Sequence, residues 1–298
     1  PACPHLSGAV VRYFVMVAVG TILWGCWPLF LRPAGLTGPQ SALLVMAIMA
    51  LPIPFVFRRE AFRDRRATLA LGVLSLCDAA NAALYFAAVQ RGPVTVAVLT
   101  HYLAPLLIAL AAPWVLRERH SPRALLGAPL TLAGLALILG TPQDGADPWT
   151  ALLGGGSAFF FMANVLASKE AARSFSPLAI NSLHALPSGL LLLLVFGRDA
   201  LPPALDASLL YVAAGSVLCG ILANSLFYSG LRHVPTATAG ALTYLEPLTA
   251  ALLGVLVFGE ALGPLGLLGG GVVLVSGAWV ASESRAPSQP APAPTGTG

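Results

Sequence analysis

Two carboxylates stand where carboxylates are costly. Of the twelve acidic residues, only Asp78 and Glu246 lie well inside long apolar runs. A charge at the centre of a membrane helix costs roughly 2.5–3.5 kcal/mol on insertion scales. Each acid therefore points to a task, such as carrying a proton or holding a cation. Asp78, Asn81 and Tyr85 follow i, i+3, i+7 spacing and share one helix face. That face either lines a cavity or hydrogen-bonds a neighbouring helix. Glu246 precedes Pro247, whose ring removes an N–H and opens the local helix. There a carboxyl group either serves a proton or an ammonium, or satisfies donors around the break.

Other polar and aromatic residues extend the same chemistry. His101 and Tyr102 come one turn before Pro105; adjacent helical residues point about 100° apart, so only one aims straight into a narrow cavity. Trp24 and Trp27 sit mid-run, where an aromatic wall for a substrate and ordinary packing are both open readings. Asn164 accompanies Phe160, His184 shares a face with Asn181, and Asn224 shares one with Tyr228. With Tyr244 beside Glu246, these complete the expected substrate-binding set, and Pro105 and Pro247 are the expected helix breaks. No His-Glu-x-x-His, phosphate-cradling glycine loop or serine nucleophile motif occurs. The expectation is no enzyme, no cofactor, no metal, and work drawn from gradients rather than ATP.

The elements that must position these residues are apolar. The chain is 57% hydrophobic and 9% charged, with a mean hydropathy of +0.82; soluble domains carry roughly a quarter charged residues. Ten runs of about 20 residues, the length that crosses a bilayer, fall at 11–31, 38–57, 67–90, 94–116, 122–140, 150–171, 177–196, 208–231, 236–259 and 263–282. The first reads as a retained helix rather than a signal peptide. Cys3, Cys26, Cys77 and Cys219 are scattered and read as free thiols. The net charge of +4 does not point to nucleic acid, because the basic residues occupy short loops. With a cytoplasmic N-terminus, the Lys and Arg residues divide 13 inside to 3 outside. That split predicts both termini in the cytoplasm of a cell with this protein in its inner (plasma) membrane. The segment from 283 to 298 reads as a disordered cytoplasmic tail, and residues 1–10 as an N-terminal cytoplasmic segment.

The chain also says nearly the same thing twice. Tyr102-Leu103-Ala104-Pro105-Leu106 returns 142 positions later as Tyr244-Leu245-Glu246-Pro247-Leu248. At that offset Pro93 matches Pro235, Ala97 matches Ala239, Cys77 matches Cys219, Glu118 matches Glu260, and Gly127 matches Gly269. The fold class expected is an all-α membrane protein of ten transmembrane helices in two five-helix repeats, 11–140 and 150–282, joined by an external connection at 141–149. Five is odd, so the second repeat is inverted relative to the first, as alternating access about a midplane site requires. Glu118 and Glu260 fall at run ends and read as structural partners of backbone or Arg groups; Gly266-x-x-x-Gly270 permits close helix approach.

The Tyr-Leu-x-Pro-Leu motifs, with Phe258-Gly259-Glu260 closing the ninth run, resemble the drug/metabolite transporter superfamily in its EamA-type branch. The resemblance covers about residues 11–282. The first half departs from it: Ala104 replaces the glutamate and Arg117-Glu118 replaces Gly-Glu. The resemblance implies a secondary transporter, often an exporter of amino acids or related metabolites. The expected partners are a small-molecule substrate, the lipid bilayer and protons as a coupling ion, with the chain a monomer or weak homodimer. A broad drug or organic-cation exporter is the alternative within transport. A membrane-embedded lipid enzyme is the alternative of another class, and it lacks the residues it would need.

Overall fold

A computed structural model describes residues 8–92, 94–140, 148–203, 207–259 and 263–283. Cys3, Pro93, Glu260, residues 141–147 of the connection and the tail from 284 onward lie outside the described residues. The described chain is helical and forms ten rods. Rod 1 is Gly8–Trp24 plus Trp27–Ala34, rod 2 is Gly38–Ala50 plus Ile53–Val56, and rod 3 is Arg65–Arg91. Rod 4 is Val94–His101 plus Ala104–Leu116, rod 5 is Pro122–Leu139, and rod 6 is Pro148–Ala171. Rod 7 is Pro177–Phe196, rod 8 is Ser208–Gly215 continuing through Ser216–Leu222 to Ala223–Leu231, rod 9 is Thr236–Leu242 plus Leu245–Phe258, and rod 10 is Pro264–Glu283. Among the described residues, eight helices are long and apolar enough to cross a membrane; Gly38–Ala50 and Pro264–Val280 are shorter apolar helices.

Helix starts follow side-chain chemistry. Asp64 accepts from the N–H groups of Arg66 at 3.0 Å and Ala67 at 3.1 Å, opening rod 3. Ser121 and Ser176 cap rods 5 and 7 by accepting from Ala124 and Ala179. Prolines set the interruptions. Pro28, Pro105 and Pro247 each stand within the first three residues of a rod's second helix, because a proline cannot donate to the carbonyl four residues back. Around the last break the backbone tightens into i→i+3 bonds, Thr243 N–H to Gly240 and Glu246 N–H to Thr243. Each break therefore falls two to four residues before its proline. The one in rod 1, at Gly25-Cys26, has the same cause as the two the sequence flags.

Packing repeats itself between the halves. Rod 3 lies along rod 6 as rod 8 lies along rod 1; rod 4 touches rod 6 as rod 9 touches rod 1. Rods 2 and 7, 4 and 9, and 5 and 10 meet their own counterparts. In the 5–10 contact Gly134 and Gly269 each lie against the other's carbonyl, with no room for a Cβ. Small residues thus bring helices together within the chain: Gly269 meets the Gly134 backbone, and Gly270 lies in ordinary contact with Leu248. Beside it the Thr131 hydroxyl donates to Ser276 at 2.8 Å. The outside is inverted in polarity from a soluble protein: Phe55, Trp114 and Leu194 are at least 80% exposed, while Thr21, Asn181, Ser188 and Thr236 are fully buried. Exposed apolar side chains at this density belong against lipid.

One end of the bundle is stitched by polar contacts. Ser174, between rods 6 and 7, donates to Asp64 at 2.8 Å, and Arg66 pairs with Glu170 at 2.7 Å. Glu118, after rod 4, accepts from the Thr236 N–H at 2.7 Å and its hydroxyl at 2.8 Å, capping rod 9. Lys169 lies 3.5 Å from the same carboxylate and donates to the carbonyls of Leu231 and Val234. Arg232 returns the arrangement by donating to the carbonyls of Ala172 and Phe175. Glu118 is thus a structural partner of a backbone N–H, with Lys169 instead of an Arg as its cation. Tyr13 stacks on His233 at 3.8 Å, and Arg123 bonds Ser282 at 2.6 Å, so both described ends of the chain lie at this end.

Local chemistry at two turns makes testable demands. Arg117 ends rod 4 with φ +57°, and Gly259, 142 positions on, ends rod 9 with φ +68°. The left-handed conformation costs an L-residue about 1 kcal/mol that glycine escapes. Arg117→Gly is expected to raise the melting temperature in detergent; a lower one would show that the exposed Arg117 side chain holds a contact outweighing the strain. At Asp64, the Ser174 hydroxyl, and then the Ala67 and Arg66 N–H groups, hold the carboxyl below its ordinary value of 3.8. A depressed folded-state value gives stabilisation that is complete above the ordinary range and lost as pH falls through the folded value. Asp64→Asn is expected to flatten the acid limb of the melting curve, and an unchanged limb would remove Asp64 from the account.

Candidate functional site

The stitched end leaves two polar groups in the interior, along the seam where rods 1, 3, 4, 6, 7, 8 and 9 converge. The first is built on rod 3, whose helical pitch turns Asp78, Asn81 and Tyr85 onto one face. Asn164 of rod 6 donates its amide to Asp78 Oδ1 at 3.0 Å. His184 of rod 7 presents Nε2 to Asp78 Oδ2 at 3.6 Å and bonds the Ile180 carbonyl through Nδ1 at 2.8 Å. One turn on, the Ser188 hydroxyl ties rod 7 to the Ser75 carbonyl at 2.9 Å. Tyr228 of rod 8 is buried near Asp78 and Ser168.

A relay of amides joins this group to rod 1. Trp24 Nε1 donates to Asn224 Oδ1 at 2.6 Å, and Asn224 Nδ2 donates to Asn181 Oδ1 at 2.9 Å. An indole N–H only donates, so the direction of the whole relay is fixed by Trp24. It leaves Asn181 Nδ2 as a buried donor without a hydrogen-bond partner. Asp78 Oδ2, Asn81 Oδ1, Ser182 Oγ and Ser225 Oγ are likewise buried and unmatched among the described residues. Native interiors leave few such atoms, and a cluster of them marks a place where water or a ligand belongs.

The second group is built on the two breaks. The Tyr102 hydroxyl faces the Glu246 carboxylate across the two breaks of rods 4 and 9. The Tyr244 hydroxyl is engaged by the carbonyls of Tyr102 at 2.9 Å and Ala128 at 3.2 Å, and its ring lies 6.1 Å from that of Tyr102. His101 Nδ1 is 2.8 Å from Ser157 Oγ. That hydroxyl's hydrogen goes to Gly154 O at 2.8 Å, so His101 is the donor. Tyr85 and Phe161 flank His101 with ring centroids 4.9 Å and 5.5 Å away. Gly25, in the break of rod 1, lies against the Glu246 carbonyl and Thr249, where a Cβ would come within 2.5 Å of that oxygen.

Most of the expected residues are brought together by these two groups. Trp27 stands apart: its ring lies against Gly215 in an apolar cluster with Val45 and Met49. Phe161 instead of its neighbour Phe160 reaches His101, one residue and about 100° round the helix. Ser157, Ser168 and the π-helical turn at Ser216–Leu222 carry parts of the site that the sequence reading does not name. Gly220 in that turn stands 142 positions after Asp78, so rod 8 is wound differently where rod 3 carries its acid. Pi-helical turns gather at functional sites.

The EamA-like transporter family matches residues 12–140 and again residues 148–282. The chain belongs to that family. Its members are transporters, not enzymes, and the double match fits the duplicated packing. An uncharacterized transporter of Archaeoglobus fulgidus is 30% identical over 87% of this chain and 92% of its own length. One of Pseudomonas aeruginosa is 28% identical over 84% and 87%. A solved crystal structure, 22% identical, superposes with a TM-score of 0.78 over 92% of this chain and 98% of that one, a likeness of fold alone. This EamA-family chain is therefore a multi-pass membrane transporter.

The amide relay predicts the effect of removing its centre. Asn224→Leu leaves the Trp24 N–H and the Asn181 oxygen without partners, at a cost of about 1–2 kcal/mol in a membrane bundle. Thermal unfolding in detergent is expected to show the lower melting point. An unchanged one would mean that the relay contributes nothing to holding rods 1, 7 and 8.

Proposed function

We propose that the chain is a secondary transporter that exports a small amphipathic metabolite, an amino acid first among candidates, across the inner membrane by alternating access. The observation that carries this reading is the cluster of unmatched polar atoms on rods 3, 7 and 8, buried in the seam of a duplicated membrane bundle. Within it all ten rods cross the bilayer, as two inverted repeats of five, 11–140 and 150–282. The rule of basic cytoplasmic loops supports a cytoplasmic location for the stitched end. The substrate is bounded by Trp24, Asn81, Tyr85 and His101, with polar contacts from Asn181 and Asn224. Glu246 serves as the coupling group, alternating between a protonated state and one paired with the substrate ammonium. Its partner at the pseudo-symmetric position is the uncharged Ala104, so one half supplies the charge.

The aromatic rings of Trp24, Phe227, Tyr85 and Tyr102 close to two acids also suit an organic cation. Tolerance assays separate the readings. Expression of an amino-acid exporter raises tolerance to toxic amino-acid analogues, and expression of a cation exporter raises tolerance to quaternary amines.

Reconstituted liposomes test the coupling. With labelled amino acids as probes, the wild-type chain is expected to show flux that responds to a pH gradient. Glu246→Gln keeps the shape and the contact with Tyr102 but cannot ionise, so its flux is expected to lose that response. Full pH dependence in the Gln variant would leave Glu246 a structural role beside Pro247. Absence of flux for every amino acid offered to sealed wild-type vesicles would end the amino-acid reading.

A further inference from the structure

The contact between Asp78 and His184 is one proton short as ordinarily drawn. His184 Nδ1 lies 2.8 Å from the Ile180 carbonyl oxygen. A carbonyl only accepts, so Nδ1 carries the hydrogen. In a neutral imidazole the other nitrogen then bears a lone pair. That nitrogen, Nε2, faces Asp78 Oδ2 at 3.6 Å. An ionised carboxylate also only accepts. The two lone pairs would oppose each other in the interior of the bundle, where His184 is 2% exposed. Asp78 cannot turn away without losing the Asn164 amide on Oδ1, and Oδ2 has no hydrogen bond of its own among the described residues.

We propose that Asp78 and His184 together form a proton-binding site, separate from Glu246, which holds one proton in this conformation. The proton makes the pair either an imidazolium facing a carboxylate or a neutral imidazole facing a carboxylic acid; both arrangements are neutral overall. Its removal leaves a net negative charge inside a membrane bundle, which is costly. The 3.6 Å separation exceeds the roughly 2.7–2.9 Å of a charge-assisted bond. Rods 3 and 7 therefore hold the pair close enough to share the proton and loosely enough to give it up. The groups facing Asp78 are His184 from rod 7, Asn164 from rod 6 and Tyr228 from rod 8, with Cys77 beside it in rod 3. Of these, His184 and Asp78 are the pair whose facing atoms can hold one proton between them. Rods 3 and 7 belong to different halves of the duplicated chain, so a motion that parts the halves separates the two partners and releases the proton. That use in transport rests on the reading of the chain as a coupled exporter, whereas proton binding itself does not.

Asp78→Asn tests the site without disturbing its hydrogen bonds. The introduced amide would accept from Asn164 through its oxygen, and its NH2 would donate to the lone pair of neutral His184, so the variant needs no extra proton. Infrared difference spectra of the protein in lipid are recorded as pH is stepped between about 5 and 9, the range in which histidine and its partners titrate. Wild type is expected to show a deprotonation whose bands shift both with isotope-labelled aspartate and with labelled histidine. Asp78→Asn and His184→Gln are both expected to lack it, and Glu246→Gln to keep it. Survival of the bands in either dyad variant, or their loss in Glu246→Gln, would overturn the assignment. The measurement needs no flux, so its failure and a failure of the export reading are separate results.

Discussion

Everything in this molecule answers to the absence of water in the bilayer core, where each backbone polar group must find a partner inside the protein. Continuous helices meet that demand by themselves. Interrupted ones do not; besides rod 2, broken at Pro52 near its end, three of the ten rods are interrupted at a proline near mid-run. The breaks are tolerated because each faces another rod. Tyr244 donates its hydroxyl to the Tyr102 carbonyl at one break, the broken turn of rod 9 closes on itself by i→i+3 bonds, and Gly25 brings rod 1 onto the Glu246 carbonyl. The breaks thus gather in the centre, and they bring Tyr102 and Glu246 together there. The same constraint explains the stitched end, where Lys169 and Arg232 supply donors to the last carbonyls of rods 8 and 6.

The duplicated packing decides which side chains can meet. Rods 3 and 6 enclose Asp78 and Asn164, and the equivalent pair, rods 8 and 1, encloses Asn224 and Trp24. One frame therefore places a polar contact twice, with an acid and amide in one copy and an indole and amide in the other. Rod 7 lies between them and receives both, through His184 and Asn181, which its pitch sets on one face. The side chains have diverged between the copies, and so has the winding of rod 8, while the pairing of the rods has not.

Much of this is legible in the sequence. The 142-residue repeat locates the paired rods, and Pro105 and Pro247 flag two breaks. Pro28 marks the third, but it lies outside the repeated motif and carries no such flag. Periodicity puts Asp78, Asn81 and Tyr85 on one face, and His184 with Asn181 on another, because helical pitch is a local property. What lies beyond the sequence is contact at long range. Nothing in the neighbourhood of Glu118 announces that it caps Thr236, since the partner is 118 residues away. Tyr244 reads as part of the lining from its motif, yet its hydroxyl bonds two carbonyls of the other half. The π-helical turn of rod 8 has no sequence signature comparable to a proline, and Phe160 and Phe161 cannot be told apart without knowing the rotation of rod 6.

Arg117 shows how firmly the common frame is held. Its exposed side chain has no need of a left-handed backbone, and in the second half the same turn belongs to Gly259, where it is free of cost. The first half keeps the turn with the wrong residue because the next residue, Glu118, must still reach across to the N-terminus of rod 9. A looser turn would release Thr236 and with it the Lys169 contact that closes the ends of rods 6 and 8. The strain at one residue is therefore small beside the group of contacts it orients. By the same logic Ala104 is free to differ from Glu246: the first half makes the same broken turn with no charge at that position, so the turn itself does not demand the acid that the second half carries.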